Sequence, residues 1–166
     1  MRENGPVIYQ KIDTPKGRIV KILLNRPDHG NRIDGEMWHD FMEAVDMASA
    51  DREARVVIFG GVGDDFCCGF DTGDPSVSLN ANEDGVVSFA DRRENTWEEV
   101  DTWLKIYNMR KPTICMTQGT VLGGGWLIAM SCDCICSADN AVFDNTEYAI
   151  YPVSALGCVE AAYEYR

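Results

Sequence analysis

Residues 55–71 read RVVIFGGVGDDFCCGFD, a short apolar run followed at once by a glycine-rich turn. A continuous apolar run such as Arg55–Phe59 is typical of a strand buried on both faces of a parallel sheet. Residues 113–125, TICMTQGTVLGGG, repeat the arrangement, with the strand Thr113–Thr117 ahead of a second glycine-rich turn. Glycine lets a backbone approach a ligand closely, and a helix that begins there leaves N–H groups free to donate. The two segments therefore predict buried strands that lead into two ligand-accessible turns.

Helical and extended patterns alternate outward from these two strands. Further strands are predicted at 19–24 and 132–137, and helices at 35–50, 96–109 and 123–130. The first helix places Met37, Phe41, Val45 and Ala48 on one face, and the second places Trp97, Val100, Leu104 and Tyr107 on one face. Residues 75–94 are polar with weak periodicity, which is typical of a loop or of a poorly defined helix. The order predicts an α/β fold with crossovers between strands.

Composition excludes several classes of function. The 166 residues are enough for one domain with a core and too few for two comfortable ones. Fifteen Lys and Arg residues stand against 27 Asp and Glu residues, a net charge of −12, so neither nucleic acid nor an anionic membrane surface is an expected partner. No apolar run is long enough to span a bilayer, and the N-terminus lacks a signal core. These features predict a cytoplasmic protein.

The seven cysteines are an odd number in a chain without a signal peptide, which favours free thiols. Cys132, Cys134 and Cys136 alternate along a predicted strand. A zinc site needs a fourth ligand and usually a wider spacing, so we expect buried structural thiols here and no metal.

Four motifs, taken together and in order, resemble the crotonase superfamily of enoyl-CoA hydratases and isomerases. They are LNRPDHGNRID at 24–34, RVVIFGGVG with FCCGFD at 55–71, KPTI leading to GGG at 111–125, and ADNAVFDNTE at 138–147. The resemblance implies a crotonase-like ββα superhelix of repeated strand–strand–helix units. It implies one core domain over residues 1–166 that lacks the usual C-terminal helical region, and assembly into a homotrimer or a dimer of trimers.

The resemblance also implies an oxyanion hole made of two backbone N–H groups. The family positions correspond to Cys68 in the first glycine-rich turn and Gly124, the middle glycine of the triplet, in the second. The substrate would be an acyl-CoA, so coenzyme A arrives as part of the substrate and no separate cofactor is expected.

Five further residues are implied to line the substrate or coenzyme A site. The backbone of Asn31, Arg32 and Ile33 corresponds to the segment that meets the adenine end of coenzyme A. Phe70 and Asp71 lie beside the first predicted donor. Asp71 is more plausible as the cap of its turn than as a general acid.

The acid/base positions of the family are only half retained. Leu127 stands where hydratases carry one glutamate, and Glu147 matches the second. A hydratase needs both carboxylates, whereas an isomerase can shuttle one proton with a single base. The resemblance therefore favours isomerase-type chemistry by Glu147. Two alternatives remain open: C–C hydrolysis of a β-diketone without coenzyme A, and a non-catalytic binding or assembly subunit.

Overall fold

The computed structural model describes residues 5–74, 77 and 89–144, which form a repeating succession of two strands and one helix. The elements are β1 (Val7–Thr14), β2 (Gly17–Leu24), α1 (Gly35–Ala50), β3 (Ala54–Gly61), β4 (Cys67–Cys68), α2 (Phe89–Tyr107), β5 (Thr113–Thr117), β6 (Thr120–Leu122), α3 (Gly124–Ser131), β7 (Cys134–Ser137) and β8 (Val142–Asp144). A 3-10 turn at Pro27–His29 follows β2. The strand–strand–helix repeat implied by the crotonase resemblance is thereby confirmed.

The strands of successive units add to two separate sheets. A five-stranded sheet has the order β1-β2-β3-β5-β7, and a three-stranded sheet has the order β4-β6-β8. Among the described strands, the β1–β2 pair alone is antiparallel, and the other pairs in both sheets are parallel. The first unit therefore contributes both of its strands to the five-stranded sheet, and each later pair of strands contributes one strand to each sheet. The helices connect parallel neighbours, as expected for crossovers.

Helix α1 forms where the sequence predicts it and packs with the predicted face. Asp34 is its N-cap, and the Asp34 side chain accepts a hydrogen bond from the Met37 N–H at 2.8 Å. Met37, Phe41, Val45 and Ala48 are all buried in the core, beside apolar residues of β2 and β3.

Helix α2 buries only part of the predicted face, Val100, together with two residues that were not predicted, Trp103 and Ile106. Trp97 is 59% exposed, whereas Val100, Trp103 and Ile106 are buried. Spacings of three and four residues allow either stripe, so periodicity alone did not decide which side meets the core. No helix within residues 5–74 and 89–144 is long and apolar enough to cross a membrane.

Candidate functional site

The three-stranded sheet brings the carboxyl ends of β4, β6 and β8 to one edge. Cys68, Leu122 and Asp144 are the last residues of these strands, and they pair in register across the sheet. Adjacent strands lie about 4.8 Å apart, so three strand ends fall within about 10 Å. The first glycine-rich turn follows Cys68 and the second follows Leu122. The two turns are therefore brought together, as the sequence predicts.

The amide of Cys68 is not a free donor. Its N–H donates to the carbonyl of Gly30 at 2.9 Å. Gly30 has a left-handed backbone (φ 59°), and a Cβ on it would lie 2.7 Å from the Cys68 Sγ, so the two segments are closely packed. An N–H carries one hydrogen, which is already donated here. The prediction that Cys68 supplies the first oxyanion donor is therefore wrong for this structure.

Two residues further along, the amide of Phe70 points away from its neighbouring segment. Phe70 forms a parallel bridge with Ile33, in which the Ile33 N–H donates to the Gly69 carbonyl at 2.9 Å and the Asp71 N–H donates to the Ile33 carbonyl at 2.8 Å. These bonds use the residues on either side of Phe70. Within the part of the chain that the structure describes, the Phe70 N–H has no acceptor.

Gly124 is the first residue of α3, where backbone N–H groups lack partners inside the helix. Its own N–H has no acceptor among the described residues, whereas the Leu127 N–H donates to the Gly123 carbonyl at 2.9 Å. A Cβ on Gly124 would lie 2.8 Å from Ile33 Cδ1 and 3.1 Å from Phe70 Cε2. The absence of a side chain at Gly124 thus lets Ile33 and Phe70 close against the start of α3.

The two predicted acid/base positions have different outcomes. Leu127 is 1% exposed and lies in the hydrophobic core, so this position supplies no proton-transfer group. Glu147 lies outside the described residues, and its catalytic role stays a prediction.

The segment predicted to meet coenzyme A is a tightly bonded turn. Asn31 is fully buried with φ 51°, and its side chain accepts from the Arg26 N–H at 2.7 Å and donates to the carbonyls of Val62 at 2.9 Å and Asp65 at 2.8 Å. The backbone N–H of Asn31 donates to Arg26, and that of Arg32 donates to His29.

Since the Ile33 N–H is also donated, no N–H group of Asn31, Arg32 or Ile33 is free for a ligand. Ile33 is buried and Arg32 is exposed. Of these three predicted contact residues, only Arg32 presents its side chain to solvent. Contact of the segment with coenzyme A stays a prediction.

The Arg26 side chain connects this turn to the start of α1 and to the first glycine-rich turn. Sequence reasoning missed this role. Its guanidinium contacts Asp34 at 3.1 Å and Asp71 at 3.5 Å, and it donates to the Arg32 carbonyl. Asp71 also accepts from the Gly73 N–H at 3.3 Å, which confirms that it caps its own turn. In the sequence, Arg26-Pro27 indicates that strand β2 ends there, but it does not indicate these contacts.

Asp65 and Gln118 fix the two glycine-rich segments to each other and were also missed. Asp65 Oδ1 accepts from the Thr120 N–H at 2.8 Å, and the hydrogen bonds from Thr120 lower the pKa of this carboxyl. Gln118 Nε2 donates to the carbonyls of Gly61 at 2.8 Å and Gly63 at 3.1 Å. These side-chain-to-backbone bonds hold the loop before β4 against the start of β6.

Asn31→Ala should destabilise the protein by about 4 kcal/mol, because three buried backbone groups lose their partners and alanine disfavours the left-handed backbone. Asn31→Asp, which tolerates that backbone but cannot donate, should also destabilise it. Urea unfolding measures both. Asn108→Ala is the matched control, since this asparagine is exposed and its side chain makes one hydrogen bond, to the Leu104 carbonyl in α2. A change of less than about 1 kcal/mol for both Asn31 variants would contradict this assignment.

Some of the cysteines are buried structural thiols, and others are exposed. Cys132 is buried at the end of α3, and its Sγ donates to the Ile128 carbonyl at 3.3 Å, as predicted for a structural thiol. Cys134 and Cys136 are exposed on β7, so the prediction of burial is wrong for these two. They lie at the edge of the five-stranded sheet, where no further described strand covers them.

Burial raises the pKa of Cys67 to about 12, and burial, with Asp65 adding to it, also raises the pKa of Cys68. Neither thiol is therefore activated as a nucleophile, because the reactive species is the thiolate.

Maleimide labelling of the folded protein should modify Cys134 and Cys136 first. Cys67, Cys115 and Cys132 should react about 100-fold more slowly or less, because a buried thiol must wait for an opening transition. Peptide mapping by mass spectrometry gives the rate at each site, and labelling in urea is the control that all thiols are reactive. Equal rates in the folded protein would contradict the burial of the three core thiols.

One group of possible metal ligands lies close together in the described ranges. His39, Asp40 and Glu43 on α1 have ligand atoms within 4.8 Å of one another. Two of the three side chains are exposed, and exposed acidic groups are common without a metal. We assign no metal to this group, and none of the predicted site residues belongs to it.

Comparison with known proteins gives the relatives of this chain. A family model described as enoyl-CoA hydratase/isomerase matches residues 14–162. EchA13 of Mycobacterium tuberculosis, named for enoyl-CoA hydratase, is 32% identical over 158 residues, covering 86% of this chain and 48% of that protein. Carnitinyl-CoA dehydratase of Proteus mirabilis is 30% identical over 131 residues, covering 78% of this chain and 46% of that protein.

Among solved structures, the crystal structure of an enoyl-CoA hydratase/isomerase from Xanthobacter autotrophicus Py2 is similar, with a TM-score of 0.71 and 30% sequence identity. The match covers 86% of this chain and 49% of that one. The chain thus spans about half the length of the relatives that it matches.

Proposed function

The chain belongs to the enoyl-CoA hydratase/isomerase family, and from that premise we propose that it carries an oxyanion-hole site that moves a double bond along an acyl-CoA thioester. The observation that carries the proposal is the in-register pairing of Cys68, Leu122 and Asp144. The chain continues from these three strand ends into Phe70, Gly124 and Glu147. One sheet edge therefore gathers two amides that have no acceptor among the described residues and the segment that leads to a carboxylate.

The oxyanion hole in this proposal uses the N–H groups of Phe70 and Gly124. Neither N–H has an acceptor in the described part of the chain, and the Phe70 ring lies against Gly124. The donated amide of Cys68 supports moving the first donor from Cys68 to Phe70. Two such donors stabilise the negative charge that forms on a thioester carbonyl oxygen when a proton leaves the neighbouring carbon.

Glu147 is the proposed proton carrier. It follows Asp144 by three residues, which span at most about 11 Å of chain, so it can reach the sheet edge that carries the two amides. Its carboxylate would take a proton from the α-carbon of a 3-enoyl thioester, and the electron pair would move onto the carbonyl oxygen. The same carboxyl would return the proton to the γ-carbon as the oxyanion collapses, leaving the double bond between the α- and β-carbons.

The buried Leu127 favours this reaction over hydration. Addition of water needs one group to activate the water and another to protonate the α-carbon, and a leucine in the core can do neither. A single carboxyl that moves one proton between two carbons is enough for isomerisation.

Coenzyme A is anionic and the chain has a net charge of −12, so binding needs local positive charge. Arg32 is exposed in the turn that the family resemblance relates to the adenine end of coenzyme A, and it is the proposed contact. Assembly into a trimer or a dimer of trimers and a cytoplasmic location stay predictions.

The test is turnover of a 3-enoyl-CoA and a 2-enoyl-CoA by the 166-residue chain, with a free β-diketone as the third substrate. The proposal expects isomerisation of the 3-enoyl thioester and little hydration of the 2-enoyl thioester. Cleavage of the diketone alone would replace the proposal with C–C hydrolysis. No turnover by protein shown to be folded by circular dichroism would favour a non-catalytic role.

A further inference from the structure

The ring of Phe70 lies directly beside the proposed second donor. A Cβ on Gly124 would come within 3.1 Å of Phe70 Cε2 and 3.3 Å of Phe70 Cζ, so the edge of the ring is packed against the glycine. The ring is only partly buried, whereas Ile33 on the other side of the glycine is fully buried. An acyl group whose carbonyl oxygen is held by the Gly124 amide would lie within reach of this ring.

The Phe70 ring is held in place by an aromatic cluster that continues into the core. It packs edge-on against Trp38, with ring centroids 5.9 Å apart and planes at 62°. Trp38 in turn contacts Trp103 at 5.2 Å and Phe41 at 6.3 Å, and both of these rings are buried. Phe70 is the member of this cluster nearest to Gly124. The bridge to Ile33 holds its backbone, and the contact with Trp38 restricts the ring on one side.

We infer that this ring makes the site selective for thioesters whose acyl group is flat next to the carbonyl, as the conjugated 2-enoyl product of the proposed isomerisation is. The inference rests on the proposed function, because it needs the thioester carbonyl at Gly124. A planar acyl group can pack edge-on or offset against the Phe70 ring and has few rotatable bonds to order on binding. A puckered saturated ring of the same carbon number is thicker and meets a Phe70 ring that Trp38 restricts on one side.

The test compares the dissociation constants of benzoyl-CoA and cyclohexanecarbonyl-CoA for the 166-residue chain by isothermal titration calorimetry. The two ligands share coenzyme A and the number of acyl carbons and differ in flatness. The dissociation constant of benzoyl-CoA should be about two- to tenfold lower than that of cyclohexanecarbonyl-CoA. This is the gain in affinity that contact between two aromatic rings typically gives beyond burial of their area.

Phe70→Ala and Phe70→Leu should each reduce that ratio to about one, because both lack the ring and both keep the backbone N–H. Phe70→Leu retains an apolar side chain of similar bulk and serves if the alanine variant does not fold. Trp97→Ala is the matched aromatic control: Trp97 is 59% exposed on α2, and its loss should leave the ratio unchanged.

Three outcomes separate this inference from the proposed function. Equal affinities in the unmodified chain, or a ratio that survives both Phe70 substitutions, would overturn the selectivity and leave the proposed function standing. Failure to bind either ligand by a chain that still isomerises a 3-enoyl thioester would do the same. Failure of both binding and turnover would overturn the two together.

Discussion

Gly124→Pro should lower kcat about 10²–10³-fold relative to Gly124→Ala, because proline removes one oxyanion donor and alanine keeps it. Gly124 is the first residue of α3, a position where proline is tolerated since its missing N–H has no partner within the helix. The comparison keeps a Cβ at position 124 and replaces the backbone N–H with the ring Cδ of proline, so the proline variant both loses the donor and fills its place.

The alanine variant is the matched control for the Cβ that both substitutions add. A Cβ at position 124 would meet the ends of two side chains, Ile33 Cδ1 at 2.8 Å and Phe70 Cε2 at 3.1 Å, and both variants carry that Cβ. Steady-state kinetics with a 3-enoyl thioester and thermal unfolding should be measured on both. If the two variants have equal kcat and similar stability, the Gly124 amide does not stabilise the oxyanion.

The parts of the fold that depend on local pattern could be predicted from the sequence. Helix α1 is predicted over its observed bounds because its apolar residues recur at helical spacing, and the structure adds that Asp34 caps it. The short strands β4, β6 and β8 were not assigned individually, because two or three residues carry no detectable periodicity. Their parallel pairing is a long-range property, and it is this pairing that positions the site.

The sequence places the candidate site at two glycine-rich turns, which the structure brings together, and it assigns the first donor to Cys68, whose amide is already donated. Whether Cys68 or Phe70 has a free N–H depends on how the first turn pairs with Gly30 and Ile33, which lie more than thirty residues earlier in the chain. On a regular strand, residues 68 and 70 would face the same side, because the period of an extended chain is two. Gly69 between them has φ 90°, which interrupts the strand, and a local motif does not specify how that turn pairs with the earlier segment.

Supporting residues were missed for a related reason. Arg26 and Asn31 act through backbone carbonyls and through carboxylates of segments far apart in sequence, so their residue types indicate nothing until those segments are brought together. The exposed thiols of β7 show the reverse case, in which an alternating pattern predicts a strand correctly and its burial incorrectly.

Glu147→Gln should lower kcat for isomerisation about 10²–10⁴-fold, the usual contribution of a positioned general base. Glutamine has nearly the same shape and cannot accept the proton, so KM should change little. With leucine buried at position 127, neither proposed acid/base position retains a carboxylate that could take over this role. Exchange of the substrate α-proton in D₂O should fall in parallel, because that step precedes transfer to the γ-carbon.

Asp139→Asn is the matched control for this substitution. Asp139 is an exposed carboxylate in the turn before β8, on the same connection that leads to Glu147, and its neutralisation removes the same charge without touching the proposed proton carrier. We expect kcat within about twofold of the unmodified chain. If Glu147→Gln keeps full turnover while Gly124→Pro loses it, the oxyanion hole would stand, and the proton would have to be carried by a different group.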